Sequence, residues 1–241
     1  MKTIFMTGGG GAGTIAATKF LKKTGKYRVI LGDMNKWAAG LRFGNKAYIL
    51  PAGTDEQFLD VVRNIIIKEH VDVFVPLVDE EILKCYELEN YFPELIILLP
   101  DYDFARTALD KWFLIKNLEE YNLPHPETYL ASESPKDLKY PFIVKPRKGR
   151  GSRNIEIKKK KEVTKESNFI YVEYLPGREW TVDTLTDRDG NLVVAVPRVR
   201  LKTRGGISII GKVELDKNIL NKVKMIVDNV LFTGPINIQF K

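Results

Sequence analysis

Phe142-Ile143-Val144-Lys145-Pro146-Arg147-Lys148-Gly149-Arg150-Gly151-Ser152-Arg153 joins a short apolar run to a basic, glycine-bearing loop. The run reads as a buried strand, and Lys145 closes it. A lysine ending a buried strand needs an anionic partner nearby. Backbone amides of a flexible glycine loop beside fixed cations form a cradle of the kind that holds phosphates. The plain alternative is a surface hairpin with a snorkelling lysine. Charge collects around this stretch: Lys139 to Lys165 carries eleven Lys or Arg against two Glu, a local +9 within a chain total of +7. The remainder therefore sums to −2, which points to one anionic ligand at one place more than to a broad nucleic-acid face. The run Lys158 to Lys161 reads mainly as a solvated strand end.

Working outward, strand signals in the second half come in neighbouring groups: Asn154 to Lys158, Phe169 to Leu175, Trp180 to Leu185 and Leu192 to Lys202, with Asp189-Gly190-Asn191 as a hairpin turn. A helix over Lys217 to Val230 and a strand from Ile236 to Phe240 follow. That is α+β grammar. The first half alternates instead. Thr3 to Met6, Arg28 to Leu31, Ala47 to Leu50, Asp72 to Leu77 and Leu95 to Leu99 are short and apolar, as in strands buried on both faces. Helical patterns separate them, the clearest over Asp55 to Glu69, where Thr54 and Gln57 suggest a capping box. Residues 1–102 thus read as a doubly wound parallel α/β domain, and 103–241 as a second, α+β domain. Asp103 is the expected cap of a helix running to about Tyr121.

The 241 residues allow one large domain or two modest ones, and 44% hydrophobic with 29% charged residues excludes a collagen, a coiled-coil rod or a disordered chain. No apolar stretch approaches the ~20 residues of a membrane span, and the N-terminus lacks the apolar core of a secretory signal. Cys85 is the only cysteine, so no internal disulfide forms; with only His70 and His125 there is no Cys/His set for zinc. A reducing cytoplasm is the expected compartment.

Gly8-Gly9-Gly10-Gly11-Ala12-Gly13 satisfies G-x-G-x-x-G between a strand and a helix, and Asp33 ends the next strand. This is either a dinucleotide-binding fingerprint or a tight strand-to-helix turn that binds nothing. Lys111 is anomalous, because Phe104, Ala108, Lys111, Ile115 and Leu118 share one face of the expected helix, which places a cation in an apolar arc. Glu179, just past the bend Pro176-Gly177, could accept from sugar hydroxyls, while the strand edge before it offers backbone groups to a base. Arg198, Arg200, Lys202 and Arg204 alternate with Val199, Leu201 and Thr203, so period-two geometry sends all four cations to one strand face. Like charges in a row repel unless an anion sits among them; the alternative is a solvated face.

These residues in this order resemble the ATP-grasp superfamily, most closely members similar to the carbamoyl-phosphate synthase large chain that act as carboxylate-amine ligases. The resemblance also rests on Lys46 to Pro51, Val75 to Glu81, Leu109-Asp110-Lys111, Pro124 to Thr128, Glu173 to Asp183 and Gly234 to Phe240. It implies a pre-ATP-grasp domain over 1–102 and an ATP-grasp domain from 103 onward, with ATP and Mg2+ as cofactors. Lys111 and Lys145 would hold the ATP phosphates, and the loop 149–153, with Gly149, Gly151 and Ser152, would close over them. Glu173, Tyr174 and Leu175 would line the adenine pocket, Glu179 would bind ribose, and Gln239 would be a magnesium ligand. The family places a further acidic metal ligand beyond the position of Gln239, and the sequence stops at Lys241; the domain is thus expected to be incomplete at its C-terminus and the fragment itself inactive.

The function so implied is an ADP-forming ligase that activates a carboxylate as an acyl phosphate for attack by an amine, with Arg198 and Arg200 as catalytic cations facing the acyl phosphate. Phosphoryl transfer needs positioning and charge neutralisation more than a protein nucleophile, which suits a chain without a Ser/His/Asp or Cys/His set. Small-molecule carboxylate and amine substrates are the expected partners, with no nucleic acid and no membrane; homo-oligomerisation is left open. Three alternatives stand beside it: phosphorylation of carbamate or bicarbonate on the same fold, an NAD(P)-dependent oxidoreductase using Gly8 to Gly13 and Asp33, and a non-catalytic nucleotide-binding module.

Overall fold

The computed structural model describes residues 1–133, 139–149, 154–159 and 166–241. Two compact units divide the chain, Met1–Tyr102 and Asp103–Lys241. No helix among the described residues is long and apolar enough to cross a membrane.

The first unit is built on five parallel strands, β1 (Lys2–Met6), β2 (Tyr27–Asp33), β3 (Lys46–Ile49), β4 (Val73–Val75) and β5 (Ile96–Ile97). Their order is β3-β2-β1-β4-β5. Helices α1 (Ala12–Lys23), α2 (Phe58–Glu69) and α3 (Asp79–Cys85) connect them. Alternation in the central strands serves both faces of the sheet. Phe5, Ile30 and Phe74 pack with Phe58, Val62, Ile65 and Ile66 of α2, while Ile4, Met6, Val29 and Leu31 form a second cluster. The doubly wound sheet read from the sequence is therefore present. Its details differ. The expected capping box at Thr54 is absent: α2 starts after Gln57, and Asp55 accepts from the Gln57 amide instead. Strand β5 is only two residues long, although the Leu98 amide beyond it still donates to the Phe74 carbonyl at 2.9 Å.

A buried acid ties the α2 end to this sheet. Glu69 accepts from Arg28, Lys46 and Tyr48, and those donors hold its carboxyl down at about 2. Because its folded value lies below the unfolded one, its contribution is complete above about pH 4.5 and is lost as pH falls toward 2. Glu69→Gln is expected to flatten that acid limb in urea titrations between pH 5 and pH 2 and to cost about 2 kcal/mol at neutral pH; an unchanged limb would show that the cluster does not govern acid unfolding. Glu81 behaves oppositely. Burial raises it to about 7 against hydrogen bonds from Thr7 and the amides of Leu77 and Val78, so its ionisation costs stability as pH rises from about 4.5 to 7. Burial likewise pushes the Cys85 thiol well above its usual range.

The second unit contains two antiparallel sheets. One has the order β6-β9-β7-β8, from β6 (Thr128–Leu130), β7 (Phe142–Pro146), β8 (Glu156–Lys158) and β9 (Phe169–Glu173). The other has the order β12-β11-β10-β13, from β10 (Trp180–Thr186), β11 (Leu192–Arg204), β12 (Ile207–Val213) and β13 (Gly234–Phe240). Helix α6 (Lys217–Asn229) covers one face of the latter, where Ile219, Val223, Ile226 and Val227 pack on Trp180, Val182 and Val199. The single helix expected over 103–121 is two, α4 (Tyr102–Ala108) and α5 (Lys111–Glu120). The break falls at Leu109-Asp110 because the Asp110 carboxylate accepts from the Trp112 amide and caps a new helix.

Candidate functional site

That new helix start decides where Lys111 goes. As the first residue of α5 it does not lie in the apolar arc expected of it; its ammonium reaches the carbonyls of Arg147 at 3.3 Å and Gly149 at 2.8 Å. Its amide also donates to the Arg147 carbonyl at 3.0 Å. A second clamp lies beneath. Asp110, 2% exposed, receives both Nε and Nη2 of Arg147, at 3.2 and 2.9 Å. The loop leaving β7 is thus fastened to the start of α5 by one ion pair and three hydrogen bonds to carbonyls. Sequence reading missed the pair, although Asp110 before a helical run and Arg147 two residues after Lys145 were its visible signals.

Lys145 stands at the end of β7, and burial together with the neighbouring Lys111 ammonium pulls it down to about 8. Among the described residues no acidic group acts on it; the only charge that does is Lys111. A desolvated ammonium with a second ammonium beside it is eased by an anion, so the end of β7 is a candidate place for one. Lys111, Lys145 and Gly149 therefore meet at one spot. Gly151 and Ser152, with the rest of the loop expected to close there, lie outside the described residues.

The other expected residues divide. Register pairs Lys145 with Ile170 and Phe142 with Glu173, so Lys145 and Glu173 occupy opposite faces of their sheet. The Glu173 carboxylate accepts from the Glu127 amide at 3.2 Å, and the Glu173 amide donates back to the Glu127 carbonyl. Tyr174 lies under the Lys241 ammonium, 5.3 Å from its ring centre, and Leu175 is half-buried. Glu179 is ion-paired with Arg200, and Arg198 with Asp183 at 2.8 Å. Asp183 also accepts from Asn237, which accepts from Thr181. Arg198, Thr181 and Gln239 sit in one row across β11, β10 and β13, and Gln239 is exposed.

Two readings change here. The cationic row on β11 does not need an outside anion, because Asp183 and Glu179 already neutralise Arg198 and Arg200. Nor does it run unbroken: register shifts at Leu201 and after Lys202 interrupt the alternation beyond Arg200. The glycine run is closed as well. The Gly9 amide donates to the Gly32 carbonyl, the Gly10 amide to Asp33 at 2.7 Å and the Gly11 amide to the Gly8 carbonyl. Asp33 also accepts from the Asn35 amide, and a Cβ on Gly40 would sit 1.9 Å from the Gly9 carbonyl oxygen. The loop's amides and the acid that a dinucleotide would use are engaged by the chain itself.

Magnesium needs several oxygen ligands, chiefly carboxylates and substrate phosphates. No group of three His, Cys, Asp or Glu among the described residues is placed to hold a metal, and Gln239 offers one neutral oxygen. The residues described do not by themselves fit a magnesium site.

A family model described as an ATP-grasp domain matches residues 108–231, more than half of the chain, and the chain belongs to that family. A second, described as a PylC-like N-terminal domain, matches residues 4–98. Among solved structures, L-amino acid ligase from Bacillus licheniformis is similar over 99% of this chain and 63% of its own, with a TM-score of 0.75 at 16% identity. N5-carboxyaminoimidazole ribonucleotide synthetase from Thermotoga maritima is similar over 99% and 64%, at 0.70 and 18%. A biotin carboxylase from Campylobacter jejuni is similar over 99% and 61%, at 0.75 and 16%. The shared fold is what these likenesses establish, and the chain spans just under two thirds of each of these structures. No curated protein sequence matches it.

Proposed function

We propose that this chain carries the ATP-binding part of an ADP-forming ligase, in which a carboxylate attacks the γ-phosphate of ATP and the resulting acyl phosphate is displaced by an amine. The observation that carries the reading is the convergence of Lys145, at the end of β7, with Lys111, whose ammonium reaches the Arg147 and Gly149 carbonyls of the loop leaving that strand. A triphosphate is the anion that two such ammonium groups would hold. Lys145, on its strand, is the fixed contact, and Lys111, fastened to the loop carbonyls, is the second. Glu173 to Leu175 would serve the base through main-chain groups, since the Glu173 side chain faces away from Lys145. Glu179 would accept from the ribose. Arg198, half-buried and paired with Asp183, would meet the transferring group only by sharing or leaving that partner.

The nicotinamide alternative finds no support in the glycine loop, whose Gly9, Gly10 and Gly11 amides are already donated within the chain. Phosphorylation of carbamate or bicarbonate would use the same ATP site, and no observation favours it. Calorimetric titration of the purified chain with ATP and, separately, NADH tests the reading. Micromolar ATP binding with no NADH binding is expected; tight NADH binding without ATP binding would overturn it.

A further inference from the structure

The first unit separates its charge. Residues 1–46 carry nine Lys or Arg against one Asp, +8, and residues 47–102 carry twelve Asp or Glu against three Lys or Arg, −9. The parallel sheet turns that division into two layers. On one face, α1 and the 3-10 helix Ala39–Phe43 bring Leu21 and Leu41 onto Ile4, Met6, Val29 and Leu31. On the other, α2 and the 3-10 helix Tyr86–Asn90 after α3 bring Phe58, Val62, Ile66 and Leu88 onto Phe5, Ile30 and Phe74. Three cations are engaged by acids of the second stretch, Lys2 by Asp72 and both Arg28 and Lys46 by Glu69. The other six, Lys19, Lys22, Lys23, Lys26, Lys36 and Arg42, are exposed on α1, on Ala39–Phe43 and in the turns beside them. Lys19 lies over the Phe43 ring and Lys22 donates to the Phe43 carbonyl, so both are held on this layer without an acid. Asp33, the one acid of this stretch, is taken by the amides of Gly10 and Asn35.

The opposite layer is acidic in the same way. Glu56 before α2, Glu87 and Glu89 on Tyr86–Asn90, and Glu94 after it are all exposed. Each layer also turns a large apolar side chain outward, Phe20 of α1 at 72% exposure and Ile67 of α2 at 59%. We propose that the basic layer of the first unit docks on the acidic layer of a second copy of this chain, with Phe20 and Ile67 in the apolar centre of the contact and the charges around it. Charge complementarity selects that occupant, since each layer is the counterpart of the other. Two like layers would repel, so neither layer pairs with itself about a two-fold axis. Because the two layers lie on opposite faces of one sheet, the contact is head-to-tail. Such a contact leaves one layer of each kind open at the ends and repeats beyond the dimer, into a ring or a filament. The inference is independent of the ATP reading.

Sedimentation velocity of the full chain over a range of concentrations tests this. In dilute buffer the average mass should rise with concentration past twice that of one chain, and in about 1 M NaCl, where charges are screened within about 3 Å, it should fall back to one chain. Reversing the basic layer with Lys19→Glu and Lys23→Glu, or the acidic layer with Glu87→Lys and Glu89→Lys, should weaken association roughly tenfold or more in either variant alone. An equimolar mixture of the two variants should regain it, because each then offers the layer that the other lacks. The salt series on the parent decides the matter should a variant not fold. A parent that stays a single chain in dilute buffer, a mass that stops at two chains, or charge-reversed variants that associate as the parent does would each overturn the proposal. So would a parent that remains a single chain while binding polyglutamate or polylysine, since the layers would then serve other partners.

Discussion

Lys145→Met is expected to weaken ATP binding roughly ten- to a hundred-fold while raising the melting temperature of the empty protein. The first effect follows from a charge-assisted phosphate contact of about 1.5 to 3 kcal/mol. The second follows from the surroundings of the ammonium, which is desolvated and meets another cation; Met keeps the stem and removes the cost. A structural lysine would give the opposite sign. The pH dependence supplies a further check. Lys145 is near 8 when folded and near 10.5 when unfolded, so the unfolded chain holds more protons in that window and stability rises with pH across it. In Lys145→Met that rise should disappear. Near pH 8 ATP should also raise the Lys145 value and draw in protons, so the calorimetric enthalpy of the parent should vary with the ionisation heat of the buffer. Unchanged ATP affinity in a folded Lys145→Met would remove this residue from the site.

The second large effect is on stability. Asp110→Ala removes at once the partner of a guanidinium, the cap of α5 and the clamp on the β7 exit. Loss of one member of a buried pair is worth about 3 to 5 kcal/mol, a large part of a domain's total. Urea unfolding should show that loss. ATP affinity should fall too, since Lys111 follows Asp110 directly and shares the Arg147 segment. Asp110→Asn keeps an acceptor for the Trp112 amide and should lose less. A change below about 1 kcal/mol in Asp110→Ala would mean that Lys111 alone ties the loop to the helix.

What the sequence revealed follows from which signals are local. Period-two and period-3.6 patterns exposed the parallel sheet of the first unit, because both depend on neighbours a few residues apart. Lys145 was legible for the same reason: a cation closing an apolar run is visible without knowing what lies opposite. Partners distant in sequence were not. Arg147 meets Asp110 across 37 positions and Arg200 meets Glu179 across 21, so the residues could be noticed singly while their pairing could not. The repulsion argument for Arg198 and Arg200 went astray on that point. Strand β12 escaped notice although Gly205-Gly206 is a hairpin signal, and β6 is only three residues long. The glycine run was left open between two readings for another reason, since the same residues that admit a phosphate also admit the backbone of a second loop.

That close approach of Gly9 and Gly40 bears on which substitutions the segment can take. With 1.9 Å between a hypothetical Cβ at 40 and the carbonyl oxygen of Gly9, even alanine demands that one loop retreat. Gly10 is similarly confined, its Cβ falling 2.8 Å from that of Ala38. Gly9, Gly10 and Gly40 are thus mutually confined, whereas Gly13 of the same run has open space where a Cβ would go. Gly9 and Gly40 therefore interlock two turns, so that a side chain introduced at residue 40 would displace both loops together.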